Sequence, residues 1–172
     1  MLNITVENVV LTARFSTALD LAAIAKAFPK AERLEKFPAL SLKFKRPRVT
    51  LLIFESGKIV CSGARSEDEA SSVVEGFVDA LRRNGIPLPN PQINVENVVV
   101  SAQLEAGVEA VKGLDGTVYE PEGFPGVVVR LKEVEPSFLV FSSGKVVCIG
   151  ARTLDAAIQA LATLEASLAK AR

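Results

Sequence analysis

The strands that the hydrophobic pattern predicts are apolar on both faces. A sheet with helices on one face and water on the other alternates apolar and polar residues. Four predicted strands instead carry apolar runs, at residues 9–11, 51–54, 127–129 and 138–141. Either a sheet buried on both faces or a sheet whose second face binds a partner explains such runs. The predicted helices are too few to cover both faces of eight to ten strands, so we expect a binding surface on the second face.

An internal duplication runs through almost the whole chain. The matched segments are residues 51–70 with 138–157, Phe37-Pro38 with Phe124-Pro125, and Ile4–Val10 with Ile93–Val99. The first of these pairs is identical at twelve of twenty positions with an offset of 87. Between them, residues 85–91 contain a glycine and three prolines, which suit a helix stop and an extended linker. We therefore predict two repeats, residues 1–88 and 89–172.

Each repeat has the pattern of an α+β unit. Asp20 is a good N-cap for a short helix, and Ser66 with Glu69 forms a capping box before a long helix that Gly85 ends. A second long helix is predicted to begin at Thr153. The strands predicted in the first repeat are about Ile4–Phe15, Ala39–Lys45, Val49–Glu55 and Lys58–Gly63. Two such halves most simply share one antiparallel sheet backed by helices.

Composition excludes several classes of protein. The chain has 172 residues, of which 49% are hydrophobic and 23% charged, as in globular proteins. It has no histidine and two cysteines, which leaves no zinc or copper site of ordinary composition and removes the commonest general base. No apolar run is long enough to span a membrane and no secretory leader is visible, so we expect a reducing, cytoplasmic setting.

The duplicated motifs resemble those of one protein family. Both repeats contain Phe-Pro followed by F-x-SGK-(I/V)-V-C-x-GAR, and both open with V-E-N-V-V. In this order and spacing, from about Asn3 to Leu168, the motifs resemble the core of the TATA-binding proteins. The resemblance implies an α+β saddle: a continuous curved antiparallel sheet of about ten strands with four helices on its convex face. The start of the chain, without an N-terminal extension, resembles archaeal members, which implies a cytoplasmic protein associated with the nucleoid.

The resemblance also implies a function. Members are general transcription initiation factors that bind the minor groove of TATA-box promoter DNA and nucleate pre-initiation complex assembly; they are not enzymes and need no cofactor. They kink the duplex by wedging apolar side chains between base steps, a mode for which this family is itself a standard example. The implied wedges are Phe37 with Phe54 and Phe124 with Phe141. Without the resemblance, these would be interpreted as four core phenylalanines.

Asn8 and Asn97 lie at matching positions inside predicted strands, where asparagine is depleted. By the resemblance both bond adenine N3 or thymine O2, which distinguishes A·T from G·C pairs but not A·T from T·A. Period-two alternation places Val10 and Thr12 with Asn8, and Val99 and Ser101 with Asn97. The remaining predicted base contacts are Leu52, Leu139, Val60, Val147 and Ser62, with Ile149 beside them. Cys61 and Cys148 then point to the opposite face as buried small residues.

The net charge of zero hides a segregation of charge. Residues 37–65 carry six Lys or Arg and one Glu, and residues 124–152 carry four Lys or Arg and two Glu. A basic strand surface on a neutral protein is typical of phosphate contacts. The candidates are Lys43, Arg46, Arg48, Lys58, Arg65, Arg130, Lys132, Lys145 and Arg152. Of these, Lys43 and Arg130 match inward-facing phosphate contacts of the family.

Three departures from the family distinguish the two repeats. Lys43 stands where the family usually has Arg, Ile149 replaces a threonine hydroxyl expected opposite Ser62, and the first helix of the second repeat, around residues 104–111, is short and contains glycine. Unequal halves predict weaker binding or a more marked orientation on DNA than in typical members.

Partners other than DNA follow from the resemblance. Glu120 and Glu122 resemble the acidic loop that contacts transcription factor B, through which the RNA polymerase machinery is reached indirectly. A homodimer through the apolar face is expected in the absence of DNA. The alternative function is that of a divergent relative with the same fold, which acts through protein–protein interaction without specific DNA binding.

Overall fold

Ten strands and four helices form in residues 2–119 and 126–171, which are the residues that the computed structural model describes. The strands are β1 (Thr5–Arg14), β2 (Glu32–Arg33), β3 (Ala39–Lys45), β4 (Arg48–Phe54), β5 (Lys58–Ala64), β6 (Gln92–Gln103), β7 (Thr117–Tyr119), β8 (Gly126–Val129), β9 (Ser137–Phe141) and β10 (Lys145–Ala151). The helices are α1 (Leu21–Ala27), α2 (Glu67–Arg83), α3 (Val108–Val111) and α4 (Leu154–Lys170). The backbone forms two compact units.

The first unit comprises Asn8–Glu96. Its strands follow the order β2-β3-β4-β5-β1 and pair antiparallel, and helix α2 packs against β5. Both helices begin where the sequence predicts. The Asp20 carboxylate accepts from the backbone N–H of Ala23 at 3.1 Å, and the Ser66 hydroxyl accepts from that of Glu69 at 3.0 Å. Each such cap satisfies a donor that the helix itself leaves unpaired.

The second unit comprises Met1–Glu7 and Asn97–Arg172. Its strands follow the order β6-β10-β9-β8-β7, and helix α4 packs against β10. Helix α4 begins after Thr153, whose hydroxyl accepts from the N–H of Ala156 at 3.0 Å, as predicted. Helix α3 has only four residues and its N-cap, Gly107, offers no side chain to cap it. The short first helix predicted for the second repeat is therefore confirmed.

The strands bury one face and leave the other face half-buried. In β4, Val49, Leu51 and Ile53 are buried, whereas Leu52 and Phe54 between them are half-buried. The buried faces meet the apolar stripes of the long helices, with Val74 and Phe77 on α2 and Leu161 and Leu164 on α4. Each fully buried Leu, Ile, Val or Phe contributes about 1.5–3 kcal/mol. The apolar runs of the sequence thus supply a core face and a second apolar face.

Strand bounds agree closely with the sequence prediction where a strand is long. Strand β3 is confirmed to the residue, β4 begins and ends one residue earlier than predicted, and β5 extends one residue further. Strands β2 and β7, of two and three residues, were not predicted from the pattern. They are too short to show a periodicity. In the described part of the chain, no helix is long and apolar enough to cross a membrane.

Candidate nucleic-acid interface

The half-buried face of each unit carries an apolar floor. We use this name for Val10, Leu52, Phe54, Val60 and Ser62 of the first unit and for Val99, Leu139, Phe141, Val147 and Ile149 of the second unit, all half-buried. Cross-strand register sets these residues side by side, since Leu52 faces Val60 and Leu139 faces Val147. Paired residues of neighbouring strands share a face. The predicted base-contacting side chains of each unit therefore lie together.

Asn8 and Asn97 are held in the same way in the two units. The Asn8 Oδ1 atom accepts a hydrogen bond from the Gly63 N–H at 2.7 Å, and the Asn97 Oδ1 atom accepts from the Gly150 N–H at 2.9 Å. A backbone N–H can bond only the oxygen of an amide, so this contact sets which way the amide is turned. The Nδ2 donors have no acceptor within the described residues. Each unit thus offers two fixed N–H donors beside an apolar floor.

The glycines whose N–H groups orient these amides lie where the register of the sheet shifts. The β1–β5 register shifts between Val9 and Leu11, and the β6–β10 register shifts between Cys148 and Ala151. Gly63 has φ +97° and Gly150 has φ +104°, a conformation that residues with a Cβ rarely adopt. Sequence reasoning missed this role, although the repeated G-A-R triplet, whose Gly and Ala end strands β5 and β10, is a signal that could have revealed it.

The hydroxyls predicted to share the floor are buried and already bonded. Thr12 faces Val60 and Ser101 faces Val147, as alternation predicts, yet they are only 3% and 6% exposed. The Thr12 hydroxyl donates to Glu96 Oε1 at 2.8 Å, and the Ser101 hydroxyl donates to Glu7 Oε1 at 2.6 Å. These hydroxyls therefore stabilise the fold, because their protons are donated to carboxylates. The alternation of the strands does not reveal these partners.

The predicted wedge Phe37 is the most exposed large apolar side chain in the described part of the chain, at 58%. Its loop is braced by backbone hydrogen bonds: Leu34 N–H donates to Ala39 at 3.0 Å, Ala39 N–H to Phe37 at 2.8 Å, and Glu55 N–H to Pro38 at 3.0 Å. Phe54 faces Ala39 at the end of β4, and Phe141 faces Gly126 at the end of β9. Phe124 lies outside the described residues, as do Glu120 and Glu122.

The basic candidates are nearly all exposed side chains. Lys58 is half-buried and the others are exposed, namely Lys43, Arg46, Arg48, Arg65, Arg130, Lys132, Lys145 and Arg152. Lys43 faces Thr50 across the β3–β4 pair, and Arg48 begins β4. The Lys132 Nζ atom lies 3.7 Å from a carboxylate oxygen of Asp115, with both side chains more than nine-tenths exposed. Such a contact contributes little to stability in water.

The cysteines lie on the core face, as predicted. Cys61 and Cys148 are buried, and burial raises the pKa of each thiol to about 11, with the Glu69 carboxylate adding to the effect at Cys61. Neutral buried thiols of this kind are poor nucleophiles and poor metal ligands. Across residues 2–119 and 126–171, no group of three or more Cys, Asp or Glu side chains could hold a metal ion.

Fold and floor define a class of duplicated α+β proteins in which one face of an antiparallel sheet packs under helices and the other presents apolar side chains. Residues 3–84 and 92–171 match the family model described as transcription factor TFIID, or TATA-binding protein. The chain belongs to this family of transcription factors. The predicted family is therefore confirmed.

Individual relatives agree with this assignment. The chain is 39% identical to the TATA-box-binding protein of Methanothermobacter thermautotrophicus over 173 residues, covering 98% of this chain and 96% of the relative. It is 42% identical to that of Methanosphaera stadtmanae over 160 residues, covering 90% and 87%. The solved structure of Methanococcus jannaschii TBP matches with a TM-score of 0.88 at 35% identity, over 98% of this chain and 99% of that one. The predicted α+β fold with ten antiparallel strands and four helices is confirmed.

Proposed function

We propose that this protein is a general transcription initiation factor that binds the minor groove of A·T-rich, TATA-like promoter DNA and kinks it. The observation that carries the proposal is the pair of Asn amides whose Nδ2 donors are fixed beside the apolar floor. The minor-groove edge of an A·T pair presents only acceptors, adenine N3 and thymine O2. The preset Nδ2 donors in an apolar surround match that edge, and a donor cannot pair with the exocyclic amine of guanine.

The apolar floor supports the same proposal. Val10, Val60 and Leu52, with Val99, Val147 and Leu139 in the second unit, are half-buried in the free protein and gain by further burial. A flattened, widened minor groove offers sugar and base edges that such side chains can cover. Base contacts then come from the two asparagines and Ser62, while the floor contributes by shape and desolvation.

The phenylalanines are proposed as wedges. A side chain that is inserted between base pairs must be exposed and well supported; Phe37 is exposed, and backbone hydrogen bonds brace the loop that carries it. Phe54 stands beside Ala39, which follows the Phe37-Pro38 turn, so the two rings approach the same base step. Phe124 and Phe141 are proposed as the wedges of the second repeat, since their sequence positions match those of Phe37 and Phe54 at the offset of 87. Unstacking a step costs a few kcal/mol, and this cost is offset because a bent duplex covers more of the protein surface.

Phosphate contacts and partner contacts complete the proposal. The lysines and arginines around the floor neutralise the backbone, which makes binding dependent on salt. On the bent duplex, Glu120 and Glu122 dock a basic surface of transcription factor B, and the polymerase is recruited through that factor. The repeat boundaries at residues 88 and 89 and a nucleoid-associated location in the cytoplasm are part of the same proposal.

A short TATA-containing duplex labelled at both ends tests the function, since affinity and end-to-end distance can be measured together. Wild-type protein is expected to bind it selectively over a scrambled G·C-rich duplex and to shorten the distance. The double variant Phe37→Ala/Phe124→Ala is expected to bind at least about tenfold more weakly, roughly 1.4 kcal/mol, without shortening. Ile158→Ala, which removes an exposed apolar side chain from α4, serves as the matched control and leaves both signals unchanged.

The other outcomes separate the alternatives. Tight binding without shortening would mean that the wedges do not insert. No binding, even with transcription factor B present, would refute the proposal and favour a relative that acts through protein–protein interaction. Sedimentation at increasing concentration of free protein shows whether the floor self-associates when DNA is absent.

A further inference from the structure

Equivalent turns of the two units carry opposite charge. Arg46 lies in the turn between β3 and β4 and Arg48 is the first residue of β4, and at the offset of 87 the segment between β8 and β9 has Glu133 and Glu135 in their places. The flanking basic positions are kept, with Lys43 matched by Arg130. The difference is thus a local reversal of charge at one end of the strand pair rather than a general loss of basic residues.

In the first unit this turn continues the DNA-facing side. Arg48 lies on the same face of β4 as Leu52 and Phe54 of the floor, because even spacing along a strand keeps side chains on one face. It faces Lys45 across the strand pair. Arg46 and Arg48 are exposed and, within the described residues, neither makes an ion pair. Their guanidinium groups are free to contact phosphate oxygens, with which guanidinium forms bidentate hydrogen bonds.

In the second unit the same place repels phosphate. Glu133 and Glu135 are exposed, and the neighbouring Lys132 has the carboxylate of Asp115 within 3.7 Å.

The charge imbalance extends to the whole of each unit. Residues 8–96 hold 13 Lys and Arg against 10 Asp and Glu, net +3, and the other residues hold 7 against 10, net −3. A protein of zero net charge therefore has one basic and one acidic unit.

We propose that the two units bind the phosphate backbone unequally: where the two halves of a site differ in phosphate charge, the first unit takes the half with more charge, and the Glu133–Glu135 segment keeps the second unit from exchanging places with it. This inference rests on the proposed function, because it assumes that both units contact one duplex. Phosphate contacts position a protein without reading bases. An A·T core that is nearly symmetric in the minor groove cannot itself specify direction, since A·T and T·A look alike there.

The test uses a duplex whose only asymmetry is its charge. The duplex has a palindromic core, TATATATA. One half of the core and its flank keep ordinary phosphate linkages, and the other half and its flank have uncharged methylphosphonate linkages. An iron chelate that cleaves nearby DNA is attached to a cysteine introduced by Ser56→Cys in one protein and by Ser143→Cys in its matched counterpart. Both serines are exposed turn residues at equivalent positions, and the native Cys61 and Cys148 are buried and resist labelling.

Cleavage from Ser56→Cys is expected on the charged half and cleavage from Ser143→Cys on the neutral half, with a bias on the order of tenfold for two phosphate contacts. The unmodified palindrome must give equal cleavage of the two halves. The charge exchange Arg46→Glu/Arg48→Glu/Glu133→Arg/Glu135→Arg leaves net charge unchanged and is expected to abolish or reverse the bias. Arg46→Gln/Arg48→Gln lowers the slope of log affinity against log salt by about 2.

Each outcome decides between the two proposals. Binding with equal cleavage of both halves of the half-neutral duplex would overturn the orientation inference and leave the proposed function intact. A wild-type bias that survives the charge exchange would also overturn it, because other residues would then set direction. Failure to bind even the unmodified palindrome would instead refute the proposed function. Unfolding measurements on the charge-exchanged protein verify that it is folded, which is expected because all four side chains are exposed.

Discussion

The two units of this protein share one local design for the floor and differ in what surrounds it. Both hold an asparagine by the N–H of a glycine at a register shift, and both cap their long helix with a hydroxyl. They differ in the first helix, in the charge of one turn and in the residue that precedes the glycine, which is Ser62 or Ile149. Divergence of the two repeats has therefore kept both asparagines and most of the basic positions, and has changed one base-facing position and the charge of one turn.

The largest effect is expected from changing the donors that the units have in common. In Asn8→Asp or Asn97→Asp, the side chain still accepts from the glycine N–H but loses both Nδ2 donors and brings a negative charge to an acceptor-lined groove. Each substitution is expected to weaken binding to TATA-like DNA on the order of 100-fold, since a good base contact contributes about 1–3 kcal/mol and an unpaired buried charge costs more. Equilibrium titration measures this loss.

Stability measurements keep this result separate from misfolding. Because the acceptor is kept, the aspartate variants should unfold within about 0.5 kcal/mol of wild type, whereas Asn8→Ala leaves the Gly63 N–H without its partner and costs about 1–3 kcal/mol. Equal losses of affinity at positions 8 and 97 would support equivalent floors. Unchanged binding by either aspartate variant would show that the amide does not contact DNA.

The surroundings of these asparagines show which features of the protein can be predicted from the sequence and which cannot. Their place in strands, the Asp20, Ser66 and Thr153 caps and the buried cysteines follow from local pattern and are predictable. The partner of Asn8 is 55 residues away, and a register shift depends on which strands pair, so no local period reveals it. The same holds for Thr12, whose acceptor is 84 residues distant.

A smaller and unequal effect is expected at the two glycines. A Cβ added to Gly63 would lie 2.9 Å from the Arg48 carbonyl oxygen, whereas one added to Gly150 would meet nothing closer than Pro136 Cα at 3.6 Å. Both substitutions force a side chain into positive φ, at a cost of about 1–3 kcal/mol. Gly63→Ala must in addition displace backbone, so it is expected to lower the free energy of unfolding by roughly 1 kcal/mol more than Gly150→Ala. Denaturant unfolding of the two variants measures the difference, and equal losses would contradict it.

The smallest expected effect concerns Ser62 and Ile149, the floor residues beside the glycines. A serine hydroxyl can donate to adenine N3 or thymine O2 and can also accept from the guanine N2 amine, whereas isoleucine can only exclude that amine. The floor of the second unit should therefore be the stricter of the two against G·C pairs. Ile149→Ser should weaken this discrimination against G·C pairs. One G·C pair in the half-site under the second unit should then cost only a fewfold loss of affinity rather than tenfold or more.

The reciprocal variant makes the comparison symmetric. Ser62→Ile should make the first unit as strict as the second, and the double exchange Ser62→Ile/Ile149→Ser should move the tolerant half-site to the other side of the core. Titration of duplexes with a single G·C pair in either half measures the tolerance, and the two chelate positions assign the half to a unit. Because the exchange conserves composition and leaves the charged turns untouched, a tolerant half-site that does not move would show that the discrimination lies with the asparagines, which the units share, and not with the residue in which they differ.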